Sequence, residues 1–410
     1  MALLNEIIAT NVPDLSSDKF PYKIVSKEDS SLILSREAAK PFGLLCSKIL
    51  RISDWDRKFS QKFIEGKVES LIIAAYETSM NELEDRISEL LNELESYNPK
   101  HEIILPIVGL RLGMDRFELG NVLFRRVTDE TYSEVIERVN RAIDLTKNTD
   151  EEKTYLKNFL KQQIDVALKV GTLASVNISA EPVRALERAQ EECGRSLDLL
   201  RFATPYVHQN PKEIGLGVVG EVIAGQGFYI VFLEDGSLQT THSRVGSWIP
   251  FELNEAIEKK LQQIGVITLS DLLKREKITD IQKRVLSAVF WCAKAQLQTL
   301  PEFRLLCLMA SLESILNPRG DRPVRMGIAE GVALLIGKSL PDRRNLRDFI
   351  ARLYDLRSSV SHGGHAEVLE SELGWLTSIA GAVIFELLKK VDEFKSQKEL
   401  LSWIDDLRLA

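Results

Sequence analysis

Residues 343–361 read RRNLRDFIARLYDLRSSVS. Leu346, Phe349, Ile350, Leu353, Leu356 and Val360 recur at spacings that set them on one helical stripe. Arg357 stands four residues after Leu353 and seven after Ile350, which turns its side chain toward the same inward face. A guanidinium there is anomalous, because burying it unpaired is expensive. It calls for a carboxylate, a subunit interface or a cleft that holds an anion. His362 follows the stretch, and the paired Gly363 and Gly364 predict a helix end in a left-handed or irregular turn. An imidazole at such an end is accessible, and its unperturbed pKa of about 6.5 suits it to proton transfer at neutral pH.

Working outward, the text reads as helix from Pro250 to the end, with the main boundary near residues 250–260. Upstream it is mixed. The first hundred residues begin with short, mixed segments and then turn helical through Met80, Leu83, Ile87, Leu90, Leu91 and Leu94, closed by Pro99. HEIILPIVGLRL and LGNVLFRRV read as strands separated by GMDRFELG. Helices are predicted at about 130–146 and 151–169, then a strand in TLASVNIS and a helix over about 181–201. Between Ile214 and Gly246, the runs GVVGEVI, GFYIVFL and SLQTTHS, with a turn at Asp235-Gly236, predict a small antiparallel sheet. The fold class is therefore α+β. A mixed N-terminal region of small antiparallel sheets and helices covers 1–257, as one body or as 1–200 and 201–257, and an all-α bundle covers 258–410.

The chain has 410 residues, too many for one compact core, so two or more domains are expected. It holds no run of about 18 apolar residues, and MALLNEIIATNVPDLSS lacks the pattern of a signal peptide. A cytoplasmic protein without a membrane partner is the expectation. Cys46, Cys193, Cys292 and Cys307 are far apart and stand in no metal-ligand spacing, so buried, reduced thiols and no metal or other cofactor are predicted. A net charge of −7 excludes a protein that coats nucleic acid with its whole surface, yet residues 317–365 carry nine basic and five acidic side chains. Arg325, Arg343, Arg344 and Arg347 of that stretch are candidates for phosphate contact, the alternative being a solvated helix face.

Two motifs fail on context. Gly215, Gly217 and Gly220 form G-x-G-x-x-G, but the residues after Gly220 continue as strand, where a dinucleotide site needs a helix to open. GVALLIGKS (331–339) has one residue too many between its glycines for a P-loop and lies inside a helical pattern. G-x-S-x-G and H-E-x-x-H are absent.

Arg357 and His362 together spell R-x-x-x-x-H inside LYDLRSSVSHGG. This resembles the signature of the HEPN superfamily, and the surrounding residues most resemble its ApeA-like branch. RLLCLMASLESILNP is similar to the A-L-E-x-L helix of that branch, with Ser311-Leu312-Glu313 in its place, and PVRMGIAEGVALLIG to the helix after it. The likeness covers about 280–390 and is weaker upstream. It implies an endoribonuclease that needs no metal: the ribose 2′-OH attacks, leaving 2′,3′-cyclic phosphate and 5′-OH ends. His362 would be general acid or base and Arg357 the phosphate clamp. Residues five apart on an ideal helix stand about 140° apart around its axis. The family's answer is a homodimer with facing motifs, and the monomeric alternative is a distorted last turn. Glu313 is either a partner that tunes Arg357 or a carboxylate tying two helices together. Ser358 and Ser361 either bond phosphate or soften the helix end, and His365 either assists or is a loop histidine without a role. The resemblance also implies an RNA substrate, a trigger or regulatory partner at the N-terminal region, and a part in prokaryotic antiviral defence or stress arrest. The rival reading is a non-catalytic adaptor that binds RNA, nucleotide or protein.

Overall fold

The computed structural model describes residues 2–10, 23–27, 30–77, 80–169, 171–209, 211, 214–218, 227–232, 238–243, 249–317, 323–361 and 367–409. The architecture is mixed α+β: helices and a five-stranded antiparallel sheet come first, and all described elements after residue 253 are helices. The first elements are α1 (Ala2–Thr10), β1 (Lys23–Lys27), β2 (Ser30–Leu34), α2 (Arg36–Leu50), α3 (Gln61–Glu77) and α4 (Met80–Ser96). Next come β3 (Lys100–Val108), β4 (Leu110–Leu112), β5 (Arg116–Leu119), β6 (Val122–Arg126), α5 (Asp129–Asp144), α6 (Asp150–Leu168), β7 (Thr172–Ser179) and α7 (Pro182–Val207). The short strands β8 (Gly217–Val218), β9 (Gly227–Phe232), β10 (Leu238–Ser243) and β11 (Phe251–Leu253) come after α7. The helical region is α8 (Glu255–Gln263), α9 (Val266–Lys274), α10 (Asp280–Leu297), α11 (Pro301–Leu316), α12 (Val324–Ile336), α13 (Leu340–Ser361), α14 (Glu370–Leu388) and α15 (Gln397–Leu409). By internal contacts the chain divides into two compact units, 1–103 with 177–191, and 104–176 with 192–410.

In the first unit α2 and α3 occupy residues whose sequence reads only as short, mixed segments. Pro41 inside α2 weakens the local helix signal, whereas burial follows the helical period, with Ala38, Phe42, Cys46 and Ile49 all inside. They share a core with Leu4 and Ile7 of α1, Ile64, Val68 and Ile72 of α3, and Leu83, Leu90 and Leu94 of α4. Glu181, buried just before α7, accepts backbone N–H groups from Ser60, Val183 and Arg184 at 3.0, 3.0 and 2.8 Å. Two of those donors belong to the first turn of α7, which leaves them without intrahelical partners. Burial by itself raises the Glu181 carboxyl, but these hydrogen bonds and one from the Ser60 hydroxyl outweigh it, and the net direction is down.

The sheet has the order β5-β6-β7-β3-β8. Phe117 faces Phe124 across β5 and β6, Val122 faces Val176 across β6 and β7, and Ile107 faces Val218 across β3 and β8. GMDRFELG is thus not all connection. Arg116–Leu119 form β5, because Phe117 and Leu119 point inward between exposed Arg116 and Glu118, and Gly120 takes the left-handed φ of +59° that its tight turn needs. Gly109, at φ +74°, separates β3 from β4, and β4 pairs parallel with β11 through Leu110 and Phe251. The small sheet expected between Ile214 and Gly246 divides: β8 joins the five-stranded sheet, while β9 and β10 pair with each other, Phe232 opposite Leu238. Gly220 and the turn at Asp235-Gly236 lie outside the described residues. Gly331–Ile336 continue α12, in line with the helical reading of that stretch.

Among the described residues α14 is the one helix long and apolar enough to cross a bilayer, with a mean hydropathy of 1.3. Leu373, Leu376, Ile379, Ala380, Val383, Ile384 and Leu387 bury it against α10, α11 and α12, the packing of a core helix. Tyr206 of α7 donates its hydroxyl to the Thr377 carbonyl at 2.9 Å, beside Gly381. Cys46, Cys193 and Cys292 are buried and Cys307 half-buried, none in a disulfide. Burial pushes the Cys292 thiol up to about 12, which makes it inert.

Candidate functional site

Two helices position the candidate residues. α11 opens on Pro301, whose missing N–H is no loss in a first turn, and buries Leu305, Leu308, Met309, Leu312, Ile315 and Leu316. Glu313 follows Leu312 and leaves 21% of its side chain exposed. α13 follows Ser339, whose hydroxyl accepts the Asp342 N–H at 3.3 Å. It buries Ile350, Ala351 and Leu353, while Leu346, Phe349, Leu356 and Val360 of the predicted stripe are half-buried. Arg357 is 31% exposed, at the margin of the inward face and not in its interior.

Arg357 Nε stands 3.3 Å from Glu313 Oε1, and Nη2 donates to Oε2 at 3.4 Å. Nε and Oε1 are both shielded from solvent, yet neither has an aligned hydrogen-bond partner among the described residues. Charge and one long hydrogen bond hold the pair, without the two parallel bonds of a forked arginine–carboxylate clamp. The guanidinium also lies 5.7 Å from the centre of the Tyr354 ring. Desolvation raises the Glu313 carboxyl above its ordinary range, and the Arg357 charge offsets this only in part.

Ser361 donates its hydroxyl to the Arg357 carbonyl at 3.0 Å, bonding back into its own helix. Ser358 is half-buried beside Arg357 in sequence. His362 and His365, with Gly363 and Gly364, lie outside the described residues. Ser361 is the last helical residue of α13, and His362 is next in the chain.

Of the four arginines assigned to phosphate contact, Arg325 pairs with Asp355 at 2.7 Å and Arg347 with Asp348 at 2.8 Å. Arg343 donates to the Gly337 carbonyl at 3.2 Å, and Arg344 is exposed. Arg352 pairs with Glu372 at 2.6 Å. Four arginines of this stretch, Arg325, Arg347, Arg352 and Arg357, thus meet carboxylates, two of which, Glu313 and Glu372, come from outside it.

Glu313 has a second setting. It forms part of an open cleft of about 490 Å³ lined also by Arg284 and Trp291 of α10. Sequence reading passed over both residues. Their seven-residue spacing, which repeats one helix face, is the signal that was available.

Comparison of the chain with protein-family models, curated proteins and solved structures found no match. Among the described residues, no group of three or more His, Cys, Asp or Glu side chains is placed to hold a metal ion.

Proposed function

We propose that the helical region, residues 258–410, is a HEPN-type endoribonuclease domain that cleaves RNA without a metal. The observation that carries this reading is the half-exposed Arg357 guanidinium, loosely held by Glu313, five residues before His362. A diester phosphate offers two oxygens to the planar fork and exchanges readily for a misaligned carboxylate. His362 takes the proton of the 2′-OH as it attacks phosphorus, or delivers a proton to the 5′-oxygen as the P–O5′ bond breaks. The products are a 2′,3′-cyclic phosphate and a 5′-OH. Two chains with facing motifs supply the arginine and imidazole of one cleft, so the active form is a homodimer. Arg343 and Arg344 add phosphate contacts, Arg325 and Arg347 stand in reserve in their ion pairs with Asp355 and Asp348, Ser358 and Ser361 bond phosphate or soften the helix end, and His365 assists. The N-terminal residues 1–257 restrain the domain until a trigger or partner binds, in the cytoplasm, as part of antiviral defence or stress arrest.

The ion pair itself favours a second reading, a non-catalytic adaptor in which Glu313 and Arg357 only tie α11 to α13. RNA cleavage in excess EDTA separates the two. Under the first reading wild-type protein cuts RNA, His362→Ala loses about 10²- to 10⁴-fold in rate, and Arg357→Ala loses about 10²-fold or more. Under the second, wild type and variants are equally inert.

A further inference from the structure

Glu313 shares its face of α11 with Ala310, Ser314 and Asn317, and this face forms the cleft with Arg284 and Trp291 of α10. The volume of about 490 Å³ falls within the range of about 300–1,000 Å³ typical of small-molecule sites. Trp291 is 36% exposed, and Phe290 meets it edge to face at 5.3 Å and 73°, which sets the orientation of the indole. The polar wall is held in advance. Arg284 Nε pairs with Asp280 at 3.1 Å and Nη1 donates to the Ser314 carbonyl at 2.9 Å. Gln397 Nε2 donates to the Ile315 and Asn317 carbonyls at 2.9 and 3.0 Å. Glu313 Oε1 is the atom without an aligned partner.

An aromatic wall beside fixed donors and acceptors matches a flat heterocycle with a hydrogen-bonding edge. A phosphate would meet the Glu313 carboxylate, whereas the exposed face of Trp291 offers a flat ring a surface to stack on. We infer that this cleft receives one unstacked nucleobase of single-stranded RNA, its ring on Trp291, next to the phosphate gripped by Arg357. The inference rests on the RNA-directed reading of Arg357. It deepens that reading, because a base stacked on Trp291 stands beside the carboxylate that holds Arg357, so that base occupancy and phosphate capture meet at one side chain.

The test uses the full chain carrying His362→Ala, so that bound RNA stays intact, and fluorescence anisotropy of a short labelled single-stranded RNA. Adding Trp291→Ala is expected to weaken affinity about tenfold or more, and Trp291→Phe less than about threefold. The slope of log affinity against log salt stays unchanged, because no phosphate contact is lost. Ala310→Phe, which fills the cleft without deleting any polar group, is expected to weaken binding like Trp291→Ala. Thermal unfolding confirms that each variant is folded, and the filling variant decides the matter where the alanine variant is not. Unchanged affinity in the folded variants, a loss accompanied by a shallower salt slope, or a parent chain that binds no single-stranded RNA each overturns the inference. If the wild type cuts RNA while affinities are unchanged, the base site alone fails. If binding depends on Trp291 while the wild type cuts nothing, the base site stands and the nuclease reading fails.

Discussion

At Glu313 two influences oppose each other on one carboxyl: burial favours the neutral acid, and the Arg357 charge favours the carboxylate. Burial is the larger, so a carbon-13 NMR titration is expected to place the Glu313 midpoint above the ordinary value of 4.5. Arg357→Gln removes the opposing charge and moves that midpoint further up; a downward move would show that the pair does not interact as placed. Because the folded value is raised, the stability contributed by this group is full at acidic pH and is lost as pH rises through the folded value. The inward turn of Arg357 was legible from its spacing to Ile350 and Leu353. Its half-exposure was not, because spacing sets an angle around α13, whereas exposure depends on how far α11 covers that angle.

Among the elements, α7 carries two tests. Glu181 accepts the N–H groups that open the helix, so Glu181→Gln is expected to cost about 0.5–2 kcal/mol in urea unfolding at neutral pH. Its folded pKa is lowered, so this stability is present above the ordinary value of 4.5 and lost as pH falls through the folded value. The difference between wild type and Glu181→Gln is therefore expected to shrink on acidification; a constant gap would contradict the assignment. Near the other end of α7, a Cβ at Gly381 of α14 would overlap the Tyr206 hydroxyl oxygen and stand 2.5 Å from its Cζ. Gly381→Ala is expected to destabilise by about 1–3 kcal/mol. Tyr206→Phe removes the overlapping oxygen, so in thermal unfolding the double variant should lose less than the sum of the two single losses.

For the whole molecule, a net charge of −7 and arginines already engaged by carboxylates limit how many phosphates the chain can neutralise. About three phosphate contacts correspond to a slope near −2 for log affinity against log salt on single-stranded RNA. Filter binding across a salt series is expected to return such a shallow slope. One steeper than about −5 would mean that the arginines leave their carboxylates for the nucleic acid.

The sequence by itself determined the α+β order, the inward set of Arg357 and the helical run, although the helix read from Pro250 begins only at Glu255, because Phe251–Leu253 pair with β4 as a strand that local periodicity does not reveal. Helix α2 escaped it, since Pro41 masks a burial pattern that only the packed core reveals. The tertiary structure alone decided that Arg357 meets Glu313, 44 residues away, that Arg352 meets Glu372, and that Trp291 borders the same carboxylate across a cleft. Those outcomes depend on which helices touch and how deeply. That depth is set by the volumes of side chains far apart in the chain, and no local pattern encodes it.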